Sequence, residues 1–303
     1  MNEFELIRRY FDRPARSAVQ GIGDDCARIA PRAGHELAIT TDTLVEGRHF
    51  LPDADPRKLG HKCLAVNLSD LAAAAATPRW FTLAITFPLV DEAWLDEFAG
   101  GLFALAERHG AELVGGDTTR GAVRSITIAA LGEVPAGQGI GRGGARSGDD
   151  LWISGRLGGA SLALVHPELA GPARRLHEPE PRVALGEKLR GLASAAIDVS
   201  DGLAGDLGHI LERSGVGALV RYADIPKEEA FESLKNEKLE RDCVLAGGDD
   251  YELLFTAPRQ RRDSVRALAD VTRIGEIVAE RRLLIVDAAG NAVTHKASFD
   301  HFA

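Results

Sequence analysis

The feature that most constrains this chain is the stretch 135–150, PAGQGIGRGGARSGDD, which is too rich in Gly and in loop-forming residues to carry a helix or strand through it. It divides 303 residues into two halves, each of ordinary domain length. Both halves mix helical and strand periods of apolar residues. The first half predicts a helix over 3–11, a strand over 37–41, a helix from Pro56 to about Ala75 and a strand over 80–87. A helix over 91–109 follows, capped by Asp91 and stopped by Gly110, then strands at 113–114 and 123–134. The second half predicts a strand over 151–154, a helix over 159–165, a proline-marked loop over 166–181 and a helix over 182–191. Next come a short strand ending at Asp198, a helix over 201–214, a strand over 218–222 and a helix over 226–239. A strand over 251–257, a basic helix over 259–270 and strands over 272–278 and 283–293 complete it. The expected class is α/β (α+β), with domains 1–135 and 151–303 joined by a linker at 136–150.

Charge and cysteine usage remove whole classes of function. The net charge is -9, so broad attraction to nucleic acid or anionic lipid is not expected. An anionic substrate held through a metal ion stays open. Cys26, Cys63 and Cys243 are odd in number and widely spaced, which reads as reduced thiols in a cytoplasmic protein. The N-terminus has no apolar core of the signal-peptide kind. The most apolar stretch, 71–87, is broken by Pro78 and Arg79 and is too short for a bilayer.

Carboxylates recur in one local context: Asp24 and Asp25 in GIGDD, Asp42 in TTDT, Asp70 in NLSD, Asp117 in GGDTT, Asp198 and Asp201 in DVSDG, Asp249 and Asp250 in GGDDYE. Each alone reads as turn or cap chemistry. Together they are harder to dismiss, because Asp42 follows an apolar strand and Asp70 sits in an apolar helix, where a bare carboxylate costs several kcal/mol. Divalent cations relieve the repulsion among facing acids, and carboxylates with hydroxyl and backbone oxygens suit Mg²⁺ shared with phosphate. No His/Cys cluster of zinc type is present. Phosphate chemistry without the familiar scaffolds is what remains, since there is no P-loop, no protein-kinase set and no G-x-S-x-G elbow. Gly139, Gly141 and Gly144 match G-x-G-x-x-G only formally, because no helix opens there. Arg142 and Arg146 read equally as phosphate contacts or as a solvated basic loop.

The segments GIGDDCA, TTDTLVEGRHF, KCLAVNLSDLAA, GGDTTRG, AIDVSDGLAGDLGHI, GGDDYELLFT and the terminal FDHF, in this order over nearly the whole chain, resemble the thiamine-monophosphate kinase family. That family lies in the wider aminoimidazole ribonucleotide synthetase-like superfamily of ATP-binding proteins without a P-loop. The resemblance implies a two-domain fold whose N-terminal strands join those of a second subunit in a barrel, giving a homodimer with ATP between the domains. It implies transfer of the γ-phosphoryl of ATP, the co-substrate, to thiamine monophosphate with several Mg²⁺ ions. By the same resemblance Asp25, Thr40, Thr41, Asp42, Asp70, Asp117, Asp198 and Asp201 are metal ligands. Gly116, Asp117, Arg142 and Ser200 are ATP contacts, and His49, Asp249 and Phe299 contact thiamine phosphate.

Two positions depart from the family pattern. Asp249 stands where Glu is usual, one methylene shorter, and Ala75 stands where Gly is common, a change expected to raise helix propensity. The other readings are a different ATP-dependent synthetase of the superfamily or a non-catalytic nucleotide-binding protein. Selenophosphate synthesis calls for a reactive cysteine near the N-terminus; Cys26 follows the DD pair and is expected to be buried. Hydrogenase maturation calls for a C-terminal cysteine, and this chain ends DHFA.

Overall fold

The structure, a computed structural model, describes residues 2–296. Their contacts divide into two compact units, one of the residues up to 71 with 76–137, the other of 72–75 with the residues from 138 on.

In the first unit α1 (Glu3–Leu6) passes into a π-helical turn, Ile7–Phe11. There follow β1 (His35–Val45), α2 (Pro56–Ala73), β2 (Thr77–Phe87), α3 (Glu92–His109), β3 (Glu112–Arg120) and β4 (Ser125–Pro135). The sheet order is β1-β4-β2-β3, with only β2 and β3 parallel. Leu83, Ile85 and Phe87 of β2 and Ile126, Ile128 and Ala130 of β4 are buried, and the residues between them are less so, so one face of the sheet is covered. The other face is open at β1, where Ile39 is 65% exposed. α2 and α3 approach so closely that a Cβ on Gly60 would stand 2.1 Å from the Phe98 carbonyl oxygen. Asp91 accepts from the Trp94 N–H at 3.1 Å and Gly110 closes α3 at φ +63°, as the sequence predicts.

The far end of α2 corrects one expectation. Ala75 is not a helical residue but the left-handed position just past the helix, at φ +59°. Its N–H donates to Ala72 O and that of Ala76 to Leu71 O, the hydrogen-bond pair that normally places Gly at this position. Alanine there adds strain, not helix propensity.

The second unit runs β5 (Asp150–Ser154), α4 (Gly159–Val165), α5 (Ala170–His177), α6 (Val183–Lys188), β6 (Ala195–Asp198), α7 (Leu203–Ser214) and β7 (Gly217–Arg221). It continues α8 (Ala230–Leu234), α9 (Glu237–Ala246), β8 (Leu253–Ala257), α10 (Arg262–Arg266), β9 (Val271–Val278) and β10 (Leu283–Val286). The sheet order is β10-β7-β9-β5-β8-β6, with β10–β7 parallel and the other pairs antiparallel. Ile153, Leu207, Ile210, Val220, Leu254 and Ile274 fill its core. The fully buried Asp150 is clamped by Arg262 and Arg273, each at 2.6 Å, which hold its carboxyl below the usual range against the cost of burial. No helix among the described residues is long and apolar enough to cross a membrane.

Candidate active site

Strand alternation puts Thr40 and Asp42 of β1 on the covered face of the first sheet. There the Thr40 hydroxyl donates to Oδ2 of Asp70, from α2. Burial, and then the charge of Asp70, push the Asp42 carboxyl up to about 6. Two carboxylates and a hydroxyl, with like charges opposed, form an oxygen-only donor set that suits a hard divalent cation. Thr41 alternates to the exposed face, so its hydroxyl stands apart from this pair.

The register carries the site across the sheet. Asp42 pairs with Ile128, Ile128 with Leu83 and Leu83 with Gly116. The two ends of this row are three strand spacings apart, about 14 Å. A register shift at Phe81/Thr82 brings Gly116 against β2, where a Cβ would lie 1.9 Å from Leu83 O, so only glycine fits. A cavity of about 820 Å³ brings Asp24 and Asp25 together with Gly116 and Asp117, walled by apolar residues including Phe4 and Phe11. The loop carrying the two aspartates is tethered at its start, where the N–H groups of Arg16 and Ser17 donate to the Glu112 carboxylate at 3.0 and 2.8 Å. Cys26 lines the same cavity and is exposed, not buried as expected, because the GIGDDCA loop lies along the cavity wall. His49 lies beyond the end of β1, and its Nδ1 accepts from the Val45 N–H at 3.0 Å, which leaves the proton on Nε2.

In the second unit β6 ends at the buried Asp198 and opens the DVSDG loop. The GGDDYE loop lies along it: Val199 N–H donates to Glu252 O at 2.8 Å, Asp249 N–H to Ser200 O at 2.9 Å and Tyr251 N–H to Val199 O at 2.8 Å. Asp198, Ser200, Asp201 and Asp249 are thus gathered on one pair of loops. Gly248 is required by the close approach, since a Cβ there would meet Ser200 O at 2.2 Å. From beneath, Oδ2 of Asp206 accepts the N–H groups of Ser200, Asp201 and Gly202 at 3.0–3.1 Å. Burial outweighs these bonds and pushes Asp206 up to about 7. Arg142 is exposed, and its carbonyl accepts from the Ser214 hydroxyl at 3.3 Å. Phe299 lies outside the described residues. Among the described residues no three His, Cys, Asp or Glu side chains stand close enough to enclose a metal ion by themselves.

Two structural acids escape a reading of the sequence for site residues, Asp206 and Glu252, while Asp250, one of the recurring acids, also turns out to be held by backbone N–H groups. Glu252 is held by Arg182, distant in sequence, while Asp206 accepts N–H groups four to six residues before it, and its one signal is an acid in the first turns of the helix after DVSDG.

Comparison with known proteins bears on the whole chain. Residues 23–134 match the family model "AIR synthase related protein, N-terminal domain" and residues 146–287 "AIR synthase related protein, C-terminal domain". The chain is 44% identical over 320 residues to the thiamine-monophosphate kinase of Salmonella typhimurium, covering 99% of this chain and 98% of that one. It is similar to the crystal structure of thiamine-monophosphate kinase from Stenotrophomonas maltophilia, at TM-score 0.85 and 42% identity over 96% of each chain. AaThiL complexed with AMPPCP and TMP is also similar, at TM-score 0.80 and 29% identity, covering 90% of this chain and 89% of that one. The two-domain α/β fold is that of the AIR synthase related proteins, and within them the chain belongs to the thiamine-monophosphate kinase family.

Proposed function

We infer that this chain transfers the γ-phosphoryl group of ATP to thiamine monophosphate, giving thiamine diphosphate and ADP. The observation that carries the reading is the opposed pair Asp42 and Asp70, with the Thr40 hydroxyl, which the family resemblance puts among the metal ligands. AaThiL complexed with AMPPCP and TMP supports the choice of both substrates.

The acceptor is itself a phosphate, anionic near pH 7, so attack needs little help from a base. The obstacle is the repulsion of two polyanions. Magnesium, when bound, neutralises phosphate charge and aligns donor and acceptor for in-line displacement. By the family resemblance, Asp25, Thr40, Thr41, Asp42, Asp70 and Asp117 would offer oxygen ligands in the first unit, and Asp198 and Asp201 would do so in the second. Thr41 offers its backbone oxygen, given the direction of its side chain. Gly116, Asp117, Ser200 and Arg142 hold the nucleotide, with the Gly116 backbone free of any side chain. His49, through Nε2, and Asp249 orient thiamine monophosphate. Everything the protein contributes is placement and electrostatics, fixed before the reactants meet.

The exposed apolar residues of β1, Leu37 and Ile39, lie on an edge strand and support a homodimer that covers this face. Three free cysteines suit a cytoplasmic setting.

The test is direct. Incubation with ATP, Mg²⁺ and thiamine monophosphate yields thiamine diphosphate, and thiamine in place of its phosphate yields none. Asp42→Ala and Asp70→Ala lower turnover by about 10²–10³-fold, the scale of losing electrostatic stabilisation at a reacting centre, with circular dichroism unchanged. Near-normal turnover in either variant removes this account of the site.

A further inference from the structure

The GGDDYE loop holds two residues in an uncommon backbone state. Asp249 is at φ +67° and Tyr251 at φ +50°, both left-handed and both bearing a Cβ. Such conformations persist only where the surroundings over-determine them, and they cluster where function needs a fixed geometry. Here the over-determination has an identifiable source. The four residues 249–252 alternate between half-buried (Asp249, Tyr251) and buried (Asp250, Glu252). The half-buried pair is tied through its N–H groups to Ser200 O and Val199 O. The buried pair is pinned from the other side.

Glu252 is held by Arg182 through two bonds of 2.6 Å and by the Ser154 hydroxyl at 2.5 Å, an anchorage to the body of the sheet. Asp250 has a different kind of partner. Its Oδ2 accepts from the Gly158 N–H at 2.7 Å and its Oδ1 from the Ala160 N–H at 3.3 Å, both at the start of α4. It therefore sits between the two strained residues and ties the loop to a separate element. The consequence on the upper side is that the Tyr251 hydroxyl donates to Oδ1 of Asp249 at 2.9 Å, which fixes the carboxylate's direction. In a chain with Asp where the family has the longer Glu, the direction of that shorter carboxylate matters more.

We propose that Asp250 is a positioning residue: by clamping the start of α4 to the GGDDYE loop it holds Asp249 and Tyr251 in left-handed conformations and so sets the affinity for the phosphorylated acceptor. The proposal rests on the reading that Asp249 faces thiamine monophosphate. Asp250 itself touches neither substrate.

The test compares the wild type with Asp250→Ala, Asp250→Asn and Ala160→Pro. Asparagine keeps an acceptor oxygen, and proline in the first helical turn deletes one donor while tolerating the helix. Asp250→Ala raises KM for thiamine monophosphate by about tenfold and leaves KM for ATP within about twofold, and Asp250→Asn restores most of the loss. Ala160→Pro shifts the same KM in the same direction by less, and it carries the test if Asp250→Ala does not fold. Amide hydrogen exchange over 247–252 is faster in Asp250→Ala and near wild type in Asp250→Asn. An unchanged KM for thiamine monophosphate, an equal rise in both KM values, or unchanged exchange overturns the proposal. A wild type that makes no thiamine diphosphate overturns the proposed function instead. The exchange comparison still decides whether Asp250 clamps the loop, because it needs no turnover.

Discussion

Ala75 shows how much one methyl group can alter at the end of a helix. At φ +59° it occupies the position where glycine avoids the clash of Cβ with the backbone, a clash that costs about 1–2 kcal/mol in an L-residue. Ala75→Gly loses a buried methyl worth about 0.8 kcal/mol and gains the relief of that strain. The expected net is a stabilisation of about 0.2–1.2 kcal/mol, read as a higher midpoint in urea with unchanged slope. A lower midpoint would show that the methyl's packing outweighs the backbone. Other residues divide in the same way between what a sequence can and cannot reveal. Asp42, Asp70 and Asp201 stand out because acids beside Thr, Ser and Gly in apolar surroundings demand a partner. Asp206 and Glu252 look the same on paper, yet they are satisfied by N–H groups and by Arg182, and only the folded chain says so.

Elements were legible where apolar period and caps agreed. α3 is the clearest case, since Asp91 and Gly110 mark its ends in the sequence as in the structure. α5 was hidden by prolines: the stretch 166–181 reads as a loop, but Pro172 falls in the first turn of α5, where a missing N–H costs nothing. The expected helix over 226–239 breaks into α8 and α9 because Lys235 turns left-handed at φ +50° and Asn236 caps the next helix through the Leu239 N–H. The basic helix expected over 259–270 is reduced to a 3₁₀ turn and the short α10.

At the start of α4 a pH dependence follows from Asp250. Burial pushes its carboxyl up to about 7, Glu252 adds to the rise, and the N–H groups of Gly158 and Ala160 and the charge of Arg175 oppose it. Between about pH 4, the ordinary carboxylate value, and pH 7 the native chain thus keeps a proton that the unfolded chain has released. The stability tied to this group is present at low pH and is lost as pH rises through 7. Asp250→Asn lacks that slope, so relative to wild type it gains about 1–3 kcal/mol between pH 5 and pH 8, measured by urea unfolding at each pH. A difference that stays constant with pH contradicts the assignment.

For the whole molecule the open sheet is the decisive feature. A four-stranded sheet with a bare edge at β1 and a 65% exposed Ile39 on its uncovered face is an invitation to a second sheet. On the proposed homodimer, wild type is expected to elute as a dimer and Ile39→Lys as a monomer in size-exclusion chromatography with light scattering, while circular dichroism stays as in wild type. A wild type that elutes as a monomer at micromolar concentration refutes the homodimer. The two-unit organisation was legible from the Gly-rich stretch at 135–150. What covers β1 was not, since a surface pattern of Leu, Ile and Thr names no partner.

The row from Asp42 to Gly116 also sets a distance between the two acidic regions of the first unit. A single hard cation reaches oxygens about 2.1 Å away, so it would not span the roughly 14 Å of backbone between Asp42 and the strand that carries Asp117. If, as proposed, the acids at both places hold magnesium, each place would need an ion of its own, and titration with free magnesium would then show more than one step.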